Sequence, residues 1–155
     1  MTQHPVVQPL PQSSTLPPRS ASTDWRDMAQ TPGTWTWGMD GPRSTARYGV
    51  AGAAPVAMMR CDPASQVVTL WRGVTVGSAP AATQVALVVN TTGTRKILTA
   101  QADGAGGVQV ALAPRDPLLD EIAFSRGRFM LESPGGTTLY LPSWPELSRV
   151  IEDCR

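Results

Sequence analysis

Turn signals cut this sequence into pieces too short for long helices. Asp40-Gly41-Pro42, Asp62-Pro63-Ala64-Ser65, Asn90-Thr91-Thr92-Gly93, Asp103-Gly104-Ala105-Gly106-Gly107 and Pro134-Gly135-Gly136 each separate two short runs with strand character. Between Gly33 and Met39, Trp35 and Trp37 alternate with Thr34 and Thr36, which puts two indoles on one face. Arg43 to Tyr48 returns as the partner of a hairpin, and Pro55 to Cys61 is an apolar run. From Gln66 to Arg72, Val67, Thr69 and Trp71 point one way and Val68 and Leu70 the other. Gln84 to Val89 is nearly continuously apolar, as in a central strand covered on both faces. Thr94 to Ala100 pairs back, and Val108, Val110 and Leu112 alternate. Arg126 to Glu132 and Thr138 to Leu141 read as a last hairpin, with Phe129 and Leu131 inward.

Two short helices complete the pattern. Asp116 is placed to accept orphan amide hydrogens as an N-cap, and Pro117 at the first helical position loses no bond. Leu118, Leu119, Ile122 and Ala123 form the buried face of that helix. Ser143 followed by Glu146 has the spacing of a capping box. Leu147, Val150, Ile151 and Cys154 then recur at helical spacing. Strands do not alternate with long helices, which argues against a doubly wound sheet, and no internal repeat appears. The expected fold is mainly β: an antiparallel β-sandwich or partly open barrel of about seven to nine short strands, with helices over about 116–124 and 143–154.

At 155 residues the chain fits one domain and a tail. Residues 1–23 carry Pro5, Pro9, Pro11, Pro17 and Pro18 among Gln, Ser and Thr. They bury too little to offset their ordering entropy, and are expected to be a semi-extended tether ahead of a single β-rich domain over 24–155. The chain has two cysteines, Cys61 at the end of a strand and Cys154 at the end of the last helix. They are the only available pair, so an intrachain disulfide is expected, and with it an oxidising compartment. No export signal opens the sequence, which taken literally points to the cytosol. The expectation is instead a periplasmic or envelope protein whose sequence starts at a processing or gene-start boundary.

The net charge of +1 supplies no field for a nucleic-acid backbone, and no run approaches the roughly 20 apolar residues of a membrane span. The single histidine, His4, lies in the tail, which excludes most triads and His-based acid–base chemistry. Two cysteines and one remote histidine do not close a zinc shell. Gly104 to Gly107 lacks the Lys-Ser/Thr of a phosphate loop and reads as a flexible loop. Asn90-Thr91-Thr92 matches a glycosylation sequon by chance. No cofactor is expected.

Two acids suffice for glycoside hydrolysis, and Asp116, Asp120 and Glu121 lie close in sequence. Asp116 is better read as a cap and the other two as a solvated helix face. Glu152 lies three residues from Arg149, within ion-pair reach. Arg126 and Arg128, separated by Gly127, share one strand face and form the candidate anion or partner contact. Aromatic platforms bind glycans, but Trp35 and Trp37 at this spacing fill a core, and Trp71 and Trp144 are isolated.

Four segments carry a family resemblance: Arg60-Cys61-Asp62, Asp116 to Leu119, Ala123 to Phe129, and Leu141-Pro-Ser-Trp-Pro-Glu-Leu-Ser-Arg-Val-Ile-Glu-Asp-Cys-Arg155. Over about residues 24–155 the chain resembles a family of small uncharacterised envelope proteins of sphingomonad-type alphaproteobacteria. It more distantly resembles periplasmic β-sandwich modules with a Cys-bearing strand and a C-terminal helix ending in Cys. Some of those modules accompany secretion systems or inhibit cell-wall enzymes. The resemblance implies an envelope location. The functional expectation is a non-enzymatic binding module whose partner is another envelope protein or a cell-wall component. The alternative is a small carboxylate-dependent hydrolase of envelope glycans.

Overall fold

The computed structural model describes residues 24–74 and 83–155. The tether reading of 1–23 and most of the loop reading of 73–82 lie outside the described residues. Within them, a single 3-10 turn at Trp25–Asp27 leads into nine strands and two helices. The strands are β1 (Thr34–Asp40), β2 (Arg43–Gly49), β3 (Ala57–Asp62), β4 (Val67–Gly73), β5 (Gln84–Asn90), β6 (Arg95–Ala102), β7 (Gly107–Leu112), β8 (Arg128–Glu132) and β9 (Leu139–Pro142). The helices are α1 (Pro117–Ala123) and α2 (Pro145–Asp153).

All strand pairs are antiparallel, in one open sheet of order β1-β2-β3-β4-β7-β6-β5-β8-β9. Strands β5, β6 and β7 are joined consecutively, and β8 returns beside β5, which is a Greek key. The two edges of the sheet meet. Ahead of β1, the Thr31 amide donates to the Tyr140 carbonyl (3.0 Å), and Thr31 Oγ1 accepts from the Tyr140 amide (2.8 Å). Trp35 Nε1 donates to the Pro142 carbonyl at 2.8 Å. A sheet bridged edge to edge in this way is a partly open barrel, and its exposed edge groups are reduced accordingly.

Strand alternation decides what is buried. Trp35, Ala46, Tyr48, Met59, Cys61, Val68, Leu70, Leu87, Val89, Phe129, Leu131 and Leu141 all lie in the core. Strand β5 departs from the expectation of cover on both faces: Leu87 and Val89 are buried, but Ala86 is exposed. Being apolar does not bury a side chain whose parity points it outward. The same parity carries Arg72 inward, 1% exposed. Its guanidinium donates to three carbonyls, those of Gly73 (3.0 Å), Leu131 (3.4 Å) and Thr137 (2.6 Å). Burial pulls its pKa down to about 10, still far above neutrality.

Helix α1 begins as expected, with the Asp116 carboxylate accepting from the Leu118 amide at 2.9 Å. The capping box at α2 does not form. Pro145 sets the first helical position, so Trp144 is the N-cap and makes no side-chain cap bond. Ser143 Oγ donates instead to the Ile122 carbonyl at the end of α1 (2.9 Å). Leu147, Val150 and Ile151 are buried where α2 lies on β1, β2 and β3. Cys154 is disulfide-bonded to Cys61, with 5.5 Å between the Cα atoms. On the same side, Arg149 stacks 3.9 Å from the Trp37 ring centroid. Trp37 Nε1 donates to Ser44 Oγ (2.9 Å), and Ser44 Oγ donates to Asp153 (2.6 Å). Arg149 pairs with Asp153 at 3.5 Å and not with Glu152, which pairs with Arg155.

Candidate functional site

The face of β3, β4 and β7 opposite the core carries the site. Because Met59, Cys61, Val68 and Leu70 point inward, Met58, Arg60, Thr69 and Trp71 must point outward. Register sets Met58 opposite Trp71, Arg60 opposite Thr69, and Gln109 on the far side of Trp71. With Asp103 from the β6–β7 loop, these six residues line a cavity of about 250 Å³.

Trp71 is held at three points. Its Nε1 donates to Asp103 Oδ2 at 2.7 Å. The edge of the indole passes over Gly107, where a Cβ would meet Nε1 at 2.2 Å. The ring tip lies over Gly73, where a Cβ would be 3.3 Å away. These two glycines are register partners, so the pairing of β4 with β7 creates the trough that receives the ring. Asp103 is fixed in turn, Oδ1 accepting from the amides of Ala105 (2.8 Å) and Gly107 (2.9 Å). The loop that reads as flexible is therefore tied down by its first residue. Burial pushes the Asp103 carboxyl up. The hydrogen bonds from the Ala105 amide, the Trp71 indole and the Gly107 amide outweigh it, so the net shift is downward and the group is ionised at neutral pH.

Arg60 differs from the arginines beside it on this face. Arg43 pairs with Asp62 (3.5 Å) and Arg47 with Asp40 (3.4 Å). The side chains of Arg60, Thr69 and Gln109 make no hydrogen bond or ion pair among the described residues. The cavity thus combines a fixed aromatic ring and a thioether with uncommitted donors and acceptors.

Arg126 and Arg128 do not form the expected pair. Strand β8 begins at Arg128, and Gly127 at φ 79° turns the chain just before it, so the two side chains do not share a strand face. Arg128 donates to the Met28 carbonyl and ties the N-terminal turn to β8. Arg126 is exposed beside Arg26, Thr92 and Glu121 around an open depression. The three acids near α1 also separate. Asp116 caps the helix, Asp120 pairs with Arg155 at 2.9 Å, and Glu121 lies over Gly93. Among the described residues, no cluster of His, Cys, Asp and Glu has the geometry to hold a metal ion, and no helix is long and apolar enough to cross a membrane.

Sequence reasoning missed this site because Trp71 looks isolated in the chain. The available signal was small: a tryptophan two residues before Gly73, and a second glycine, Gly107, that only the register brings next to it. Compared with models of protein families, with curated proteins and with solved structures, the chain matches none of them.

Proposed function

We propose that this protein is a non-enzymatic binding module of the bacterial cell envelope, of the sphingomonad type its C-terminal segment resembles. Its ligand surface is the outer face of β3, β4 and β7. The observation that carries this reading is the cavity beside Trp71, where an immobilised ring adjoins Arg60, Thr69 and Gln109, none of which has a partner among the described residues. These side chains are half-buried and open to water, so a ligand that displaces that water finds donors and acceptors that no group among the described residues occupies. The Cys61–Cys154 disulfide supports an oxidising compartment, hence the periplasm. The separate employment of Asp116, Asp120 and Glu121 favours binding over the carboxylate-dependent hydrolase.

The test is capture of envelope components on the immobilised protein, wild type against Trp71→Ala. The reading expects a component retained by the wild type and lost from the variant, whose fold is checked by its circular dichroism. Equal retention by both would refute the assignment of this face.

A further inference from the structure

We infer that the cavity beside Trp71 takes an N-acetylated hexosamine ring of a cell-wall glycan. This rests on the reading of that face as the ligand surface and goes further by naming the ligand's chemistry. The cavity, about 250 Å³, lies below the range of about 300–1,000 Å³ usual for drug-sized ligands, and so suits a single ring. Its apolar part is the Trp71 ring and the Met58 side chain, which match the C–H face of a pyranose and an acetyl methyl. Its polar part has opposite charges at two places, Arg60 on β3 and Asp103 in the β6–β7 loop. The lining thus carries one charge of each sign and no net charge, which favours a neutral polar ligand over a free ion.

Hydroxyls and an acetamido group suit such a pair, because they donate and accept at once. Asp103 Oδ2 takes one hydrogen bond, from Trp71, and keeps a further lone pair for an amide N–H or a hydroxyl. Arg60 offers donors to an acetamido carbonyl, and Thr69 and Gln109 each offer both kinds of group. Trp71 is already ordered by Asp103 and by the two glycines, so stacking a sugar on it costs little side-chain entropy.

The experiment follows the Trp71 indole N–H and backbone amide resonances of the full chain by NMR during titration with three oligosaccharides. These are a tetramer of β-1,4-linked N-acetylglucosamine, cellotetraose, which lacks the acetamido groups, and a galacturonate oligomer, which is anionic. The expected result is millimolar binding of the acetylated tetramer with shifts at Trp71, Gln109 and Gly107, and binding of the other two weaker by about tenfold. Trp71→Ala should weaken binding of the acetylated tetramer by about tenfold or more. Gln109→Ala, which breaks no side-chain bond among the described residues, should weaken it several-fold and guards against a folding defect in the first variant.

Tighter binding of galacturonate would overturn the inference and make Arg60 an anion site. So would no shift with the acetylated tetramer, or shifts at another surface. If envelope capture still depends on Trp71 in that case, the ligand surface stands and only the sugar assignment falls. If capture is also independent of Trp71, both fall.

Discussion

Reducing the Cys61–Cys154 disulfide is the perturbation whose size follows most directly from the architecture. The bridge spans a sequence separation of 93, joining the end of β3 to the last turn of α2. In the chain-entropy treatment, opening a loop of this length releases about 4.6 kcal/mol of constraint on the unfolded chain. For the roughly 125 described residues the unfolding entropy is about 0.26 kcal/mol/K, so reduction should lower Tm by about 15–20 °C. Typical domains hold about 5–15 kcal/mol in all, so the reduced protein should remain folded at room temperature but with little margin. The damage should begin locally. Helix α2 has nine residues, shorter than the roughly 12–15 needed for marginal stability alone, and depends on its packing over β1, β2 and β3. The assay is a thermal melt by circular dichroism with and without reductant, with Cys61→Ala/Cys154→Ala as a second arm and hydrogen exchange at residues 145–154. A reduced protein melting within about 5 °C of the oxidised one would refute the entropic argument. So would protection in α2 that reduction leaves unchanged.

Ile151→Ala should cost about 2–5 kcal/mol, because the side chain is buried against the sheet. Ser143→Ala should cost about 1 kcal/mol by losing its bond to the Ile122 carbonyl, both read from denaturant midpoints. Gly107→Ala would set a Cβ 2.2 Å from the Trp71 indole nitrogen, so the ring must leave Asp103. A red-shifted emission and a loss of about 1–3 kcal/mol are expected. Acidification should have a related effect through Asp103. Its folded pKa is depressed, so its contribution is complete above the ordinary carboxylate value near 3.9 and fades as pH falls through the lower folded value. The Trp71 emission should change in that acid window in the wild type and not in Asp103→Asn. Arg126→Ala should change stability by less than about 0.5 kcal/mol, since its side chain is exposed. Arg128→Ala should raise hydrogen exchange over residues 24–31 by releasing the Met28 carbonyl.

Local signals in the chain account for most of the secondary structure. Alternation and turn residues placed each strand within a few residues of its observed limits, because a two-residue period and a Gly- or Pro-bearing turn are properties of neighbours in sequence. Asp116 capping α1, the apolar stripe of α2 and the sole cysteine pair were legible for the same reason. The structure departs from local signals where the nearest candidate partner in sequence is not the one bonded. Ser143 has the spacing of a cap for its own helix but bonds to α1, because Pro145 moves the helix start. Glu152 lies within reach of Arg149 in sequence, yet Asp153, which also accepts from Ser44, is the acid Arg149 pairs with. Arg126 and Arg128 read as one strand, but Gly127 adopts a positive φ that separates them.

Only the tertiary structure decided the strand order, and with it the candidate site. A strand's own residues state which face is apolar, but not which neighbour it will pair with. The placement of β4 beside β7, across a Greek key, brings Gly73 opposite Gly107 and sets Asp103 within reach of Trp71. Among the described residues it also leaves Arg60 without an ion pair, while Arg43 and Arg47 find theirs. Burial of Arg72 likewise rests on carbonyls of Leu131 and Thr137, about sixty residues away in the chain, which only the closing of β8 and β9 over β4 supplies. Residue types and their spacing determine which elements form. Long-range register determines which side chains stand together.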